Sequence, residues 1–191
     1  MAKFNILTNY KKCAELLESG SVFCAFDTET TGLKAEIGRI IEIGAVKFTK
    51  DGVTETFETM LDPQMPISPA ASNVNHIFDH MVRGKPLENE VMPRFIDFIG
   101  DSVLVAHNAQ FDIRFVNASL ERLSRPSLSN SAVDTLRFTR SVFPDAGHWT
   151  LQSLALQLGI DSGKSHRALD DAITCMKIFL SALDKISDCQ K

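Results

Sequence analysis

The chain has 191 residues, 44% of them apolar and 23% charged, with a formal charge of 20 − 24 = −4. This fits one globular domain, residues 1–191, with a sizeable core, and it excludes broad, charge-driven coating of nucleic acid, which needs Lys and Arg against phosphate. A carboxylate site loaded with divalent cations stays allowed, because bound ions reverse the local charge.

In chain order, Leu7 to Leu17 has the spacing of a short amphipathic helix, with Thr8 or Asn9 as its cap. Val22 to Phe26 is a continuous apolar run of strand length, as expected for a strand buried on both faces. Arg39 to Phe48 is β-branched and apolar, with Glu42 as its one internal acid. Val53 to Leu61 alternates and is rich in Thr, which predicts a strand nearer an edge, and Asp51-Gly52 reads as the hairpin turn between the two. Residues 63–86 hold four of the seven prolines and predict loops with short helical pieces. Glu88 to Ile99 is helical by period, with Pro93 marking a late start or a kink. Ser102 to Ala106 is a second buried strand, followed by a helix over Phe111 to Leu123. Ala132 to Asp134 predicts a short strand, and Thr135 to Phe143 and Thr150 to Leu158 predict helices, the latter stopped at Gly159. His166 to Leu183 contains the last helix, and residues 184–191 read as a frayed polar tail. Three strands in succession, then strands alternating with helices, imply an α/β fold: a mixed sheet with an antiparallel opening and parallel strands after it, flanked by helices.

No apolar run approaches the roughly 20 residues of a membrane span. The stretch to Ser19 carries Lys3, Lys11, Lys12, Glu15 and Glu18 without an apolar signal core, so a cytoplasmic protein with no membrane association is expected. Cys13, Cys24, Cys175 and Cys189 form no C-x-x-C pair, which fits reduced thiols.

Asp27-Thr28-Glu29-Thr30-Thr31-Gly32-Leu33 follows the first buried strand directly. Residues two apart on a strand share a side, so Asp27 and Glu29 project together while Thr28 faces away. Two adjacent carboxylates repel, and a hard cation such as Mg²⁺ or Mn²⁺ relieves that cost. Taken alone, D-x-E is frequent by chance and suits a solvated loop better than a site. Gly32 lets backbone approach a ligand.

Asp112 repeats the layout of buried strand, polar turn and acid, at the start of a helix. There it either caps the helix or, with its pKa lowered by the helix N-terminus, stays ionised for a cation. Asn108 either bonds a sugar or phosphate oxygen or ties down its own turn, and His107 reads as a structural hydrogen-bonding residue. Asp134 has the place of a cap or a partner near the site, and His148 and Trp149 read as packing.

His166 and Asp171 are five apart, about 140° around a continuous helix. They converge only if His166 stands at or before the helix start, with Ser165 as its cap. Imidazole ionises near neutral pH, so a loop-borne His beside a metal site suits a general base. Periodicity does not choose between Asp170 and Asp171.

Together FDTETTGL, HNAQFD and HRALDDA resemble the three motifs of the DEDD, DnaQ-like 3′→5′ exonucleases, over Val22 to about Leu183. The spacing of His166 to Asp171 fits the H-x4-D form of the third motif, and the lone tyrosine, Tyr10, lies far from it, which gives the DEDDh subclass. The resemblance is greatest to proofreading epsilon subunits of bacterial DNA polymerase III and their stand-alone relatives. It implies a ribonuclease-H-like fold and two Mg²⁺ or Mn²⁺ ions held by Asp27, Glu29, Asp112 and Asp171, this last chosen over Asp170 by the motif. It implies His166 as the base, and hydrolysis of the 3′-terminal phosphodiester of single-stranded or frayed DNA in proofreading or repair. Thr30, Thr31, Gly32 and Leu33 would seat the terminal nucleotide, with Leu33, His76 and Phe111 as base contacts. An RNA-directed exoribonuclease and a silent nucleic-acid-binding module of a polymerase assembly are the rival readings. Epsilon subunits carry a C-terminal tail toward the polymerase, and the few residues after Leu183 favour a free-standing enzyme over a tethered one.

Overall fold

The structure, a computed structural model, describes residues 5–188. Six strands form one mixed sheet in the order β1-β6-β5-β2-β3-β4. Strands β2 (Phe23–Thr30), β3 (Ile40–Thr49) and β4 (Gly52–Met60) make the antiparallel opening, and β5 (Val103–Ala106), β6 (Ser131–Asp134) and β1 (Asn5–Ile6) add on the other side of β2 in parallel. The mixed α/β sheet is the expected one. β1 was not expected: it is two residues long, too short for a periodic signal, and it takes the first residues before the helix α1 (Tyr10–Glu18), which Asn9 caps.

Side-chain alternation along β2 distributes two cores. Phe23 and Ala25 face α1, α6 (Thr135–Val142) and α8 (Ala168–Asp188), packing with Phe48, Phe138 and Phe179. Cys24 and Phe26 face α4 (Glu88–Ile99) and α5 (Ala109–Arg122), packing with Phe95, Phe115 and Val116. Full burial of such aromatic side chains is worth about 1.5–3 kcal/mol each by area alone, so the sheet face sets where both helix layers sit. Residues 63–86 hold the two short helices α2 (Pro69–Asn75) and α3 (Asp79–Val82), as expected of that proline-rich stretch.

Several expectations are corrected. Pro93 lies inside α4, neither delaying its start nor ending it, because Val91, Met92, Phe95 and Ile99 are fully buried and hold the helix against the sheet. The β3–β4 turn is Lys50-Asp51, with Gly52 already on β4 at a φ of 121°. Of the expected tail, residues 184–188 continue α8, and the rest, with Cys189, lies outside the described residues. Ser165 does not cap α8; the helix begins against β3, where the Glu42 carboxylate accepts the Ala168 N–H at 3.1 Å.

The α8–β3 contact depends on Gly44. A Cβ at this position would lie 2.0 Å from the Leu169 nitrogen and 2.1 Å from the Ala168 carbonyl carbon. The first turn of α8 therefore rests on bare strand backbone. Gly44→Ala is expected to destabilise the protein by about 2–3 kcal/mol through overpacking, read as a drop in melting temperature of about 4–12 °C. An unchanged melting temperature would show that α8 does not seat there.

Candidate active site

The site forms where β2 outlasts its buried run. Asp27 pairs with Gly44 and Glu29 with Glu42 across the antiparallel ladder, and the register shifts after Glu29. Strand pairing thus carries both acids, which continue the face of Phe23 and Ala25 toward α8. Thr28 turns to the opposite face, where its N–H and hydroxyl both donate to one Asp112 oxygen, at 3.0 and 2.7 Å. Asp112, on the first turn of α5, is buried and fixed against β2 by those two bonds.

The third segment arrives from the loop before α8. His166 precedes the helix, as convergence required, and takes a left-handed backbone with φ 62°. Its N–H donates to one Asp171 oxygen at 2.9 Å, while Gln152, on α7 (Leu151–Gln157), donates its amide to the other at 2.7 Å. Ligand atoms of Glu29, His166 and Asp171 lie within 4.8 Å of one another. Asp170 points elsewhere: its carboxylate accepts the Lys164 N–H and lies 2.8–3.1 Å from where a Cβ on Gly163 would be. The geometry therefore separates the two neighbours, with Asp171 in the site and Asp170 holding the loop.

Asp27, Glu29, Asp112, His166 and Asp171 all line one cleft of about 520 Å³. Thr30, Gly32, Leu33, Asn108 and Phe111 line it as well. Leu33 is 83% exposed, a large apolar side chain offered to solvent at the rim, and Phe111 both lines the cleft and packs on Phe115 at 5.0 Å between ring centroids. Asn108 adopts a left-handed backbone and makes no side-chain cap, so its amide is left to the cleft. Two expected substrate contacts are absent from the lining. Thr31 is buried with its hydroxyl accepting the Arg39 N–H, and His76 serves as the left-handed C-cap of α2. His107 is structural: its ring nitrogens meet the Thr135 hydroxyl at 2.9 Å and the Trp149 carbonyl at 2.8 Å. Asp134 caps α6, accepting the Leu136 N–H at 3.0 Å.

Sequence reasoning missed Asn75 and Gln152. Asn75 is buried and lines the cleft; its oxygen accepts the Ile77 N–H, which turns the amide toward the Thr30 carbonyl and Glu29. Neither residue lies in a motif, and only tertiary folding brings α2 and α7 to the cleft.

Electrostatics make the cleft a site in want of cations. Burial, then the charges of Asp112, Glu29 and Asp171, pushes the Asp27 carboxyl well above the usual range. Burial raises Glu29 to about 7 despite the Asn75 hydrogen bond, and raises Asp112 to about 7 despite the bonds from Thr28. Asp171 is raised too, first by burial. The expected lowering of the Asp112 pKa is thus overturned, since burial outweighs the helix N-terminus. Among the described residues no Lys or Arg pairs with any of these four acids, and Asp27 has no hydrogen-bond donor from a side chain or backbone. An all-oxygen donor set without internal compensation fits hard divalent cations.

Fold and site together define an acid-cluster nuclease: carboxylates near the C-terminal end of an interior strand of a mixed sheet, faced by a helix carboxylate and a loop His. Residues 24–179 match the RNase T exonuclease family, and the chain belongs to it. It is an exonuclease, a hydrolase of phosphodiester bonds. The chain is 48% identical over 163 residues to the DNA polymerase III subunit epsilon of Treponema pallidum, covering 84% of this chain and 76% of that one. It is 39% identical over 166 residues to the PolC-type DNA polymerase III of Caldanaerobacter subterraneus, covering 87% of this chain but only 12% of that larger protein. Among solved structures it resembles exonuclease X in complex with 5′-overhanging duplex DNA, with TM-score 0.69, 26% identity and coverage of 88% and 93%. Exonuclease I shares the fold, with TM-score 0.76, 20% identity and coverage of 87% and 41%.

A carboxyl whose pKa is raised in the folded protein contributes stability below its unfolded pKa, about 4, and that contribution is lost as pH rises toward 7, the value for Glu29 and Asp112. Cations replace those protons. In thermal scans the rise in melting temperature on adding saturating Mg²⁺ or Mn²⁺ is therefore expected to be small at pH 5 and several degrees at pH 8. A pH-independent rise would count against a cation site built from these acids.

Proposed function

We propose that the protein shortens single-stranded or frayed DNA from the 3′ end, releasing nucleoside 5′-monophosphates, in proofreading or repair in the cytoplasm. The convergence of Asp27, Glu29, Asp112, Asp171 and His166 on one cleft carries the reading. Asp27, Glu29, Asp112 and Asp171 would hold two Mg²⁺ or Mn²⁺ ions. Bound there, the ions neutralise the scissile phosphate, lower the pKa of water and stabilise the leaving oxygen.

The chain's own groups do the rest. His166 accepts the proton of the attacking water, whose oxygen bonds to phosphorus as the bond to the neighbouring nucleotide's 3′-oxygen breaks. That oxygen then takes a proton, leaving a new 3′-hydroxyl. The strained loop geometry holds His166 beside Asp171. Leu33 and Phe111 offer apolar surface to the terminal base, and Asn108 offers hydrogen bonds to its backbone. Similarity to an epsilon subunit and to a DNA-bound exonuclease X supports DNA as substrate and service beside a polymerase. No helix among the described residues is long and apolar enough to cross a membrane.

The test is a time course on 3′-labelled against 5′-labelled single-stranded DNA and RNA, each with Mn²⁺ and with chelator. The 3′ label should be released first, from DNA faster than from RNA, and only with metal. Asp27→Ala should lower kcat by about 10³-fold or more, and His166→Ala by about 10²–10⁴-fold, with melting temperatures of the metal-free proteins unchanged or raised. Retained activity in either variant, or release of the 5′ label first, would sink the assignment.

A further inference from the structure

Glu42 is an acid that the chemistry above leaves unused. It is fully buried on β3, directly across the ladder from Glu29. Its carboxylate accepts Arg167 Nε at 3.1 and 3.3 Å, Arg167 Nη2 at 2.6 Å and the Ala168 N–H at 3.1 Å. A charge this deep is costly unless both oxygens are satisfied, and replacing such a pair by apolar residues is often neutral or stabilising. Fold stability is therefore a weak reason for it, and its location supplies a better one.

The residues Glu42 grips are the two that follow His166. The preceding loop is tied to α8 and not to the sheet: Lys164 N–H to Asp170, the Thr174 hydroxyl to the Ser162 carbonyl, Lys177 Nζ to the Asp161 carbonyl. The loop therefore goes wherever the first turn of α8 goes. His166 itself sits in the left-handed region, which a non-glycine residue holds only when its surroundings over-determine it. Glu42 is the polar tie between that turn and the strand carrying Glu29's partner position, and Gly44 allows the turn to come close enough. Arg167 supplies the planar fork the grip needs, with Glu58 at 3.6 Å as a second, looser partner.

We propose that Glu42 and Arg167 form a latch that sets His166 against the acids, and that both are positioning residues. The inference rests on His166 acting as the base.

The test uses the full chain with Mn²⁺ and a single-stranded DNA oligonucleotide, comparing Arg167→Gln, Arg167→Lys, Glu42→Gln and His166→Ala. Arg167→Lys keeps a cation beside the buried Glu42, so it keeps the test readable if Arg167→Gln or Glu42→Gln fails to fold. Arg167→Gln is expected to lower kcat about 10- to 100-fold, with KM and Mn²⁺ affinity within threefold of the parent, and Arg167→Lys to fall between. In histidine-selective NMR of the metal-free proteins the His166 imidazole signal, assigned by its loss in His166→Ala, should shift or broaden in Arg167→Gln while the other imidazole signals stay in place. An unchanged kcat, an unmoved His166 signal, or Mn²⁺ affinity falling in step with kcat would each overturn the latch. Full activity in His166→Ala would instead overturn the reading of the base.

Discussion

Four carboxylates share one cleft with no Lys or Arg among the described residues paired to them, and the architecture is arranged around that cost. A surface cluster would be screened by water, but Asp112 and Asp171 are buried and Asp27 is walled in by the other three acids. In such a setting the acids either hold protons or hold metal. The hydrogen-bond donors described around them are neutral groups: Thr28 to Asp112, Asn75 toward Glu29, Gln152 and the His166 N–H to Asp171. Neutral donors orient a carboxylate without cancelling its charge, which leaves the charge available to a cation. Arg167, next to His166 in the chain, is spent on Glu42, across the ladder from Glu29.

The fold solves a convergence problem with three short pieces of chain. β2 lends two acids on one face and, through Thr28, reaches over to the other face to hold the acid of α5. The site therefore sits at the C-terminal end of an interior strand, beyond both cores. α8 closes it because Gly44 removes the side chain that would keep the helix away. Packing and chemistry are linked here: the same helix that buries Ala172, Cys175 and Phe179 against the sheet delivers Asp171 at its N-terminal end.

The parts of the site legible in the sequence were those encoded by local periodicity. The Asp27 and Glu29 side is a two-residue alternation, and the need for His166 to precede the helix is simple helical geometry. The choice of Asp171 over Asp170 was not legible from period, since both lie on the same first turn. It is decided by which carboxylate meets Lys164 and which meets Gln152, contacts made across a loop and between helices. Glu42 stood out as an isolated acid in an apolar strand, but its partner lies 125 residues away, beyond any local pattern. Thr31 and His76 lie outside the cleft lining for a reason no local pattern shows: one hydroxyl accepts the Arg39 N–H and one left-handed backbone caps α2.

The error over Asp112 is the most instructive, because it was one of magnitude. A helix N-terminus favours an ionised acid by about 0.3–1 kcal/mol at an exposed site. Full burial can shift a carboxyl by several pKa units in the other direction, at about 1.4 kcal/mol per unit. The two Thr28 bonds recover part of that, and Asp112 still comes to rest near 7. The sequence shows the helix start but not the depth, and depth decides the sign. The same comparison explains how the cluster limits its own repulsion: the raised pKa values let protons occupy it where cations do not. What metal loading adds is the ionised state that neutral donors alone cannot stabilise.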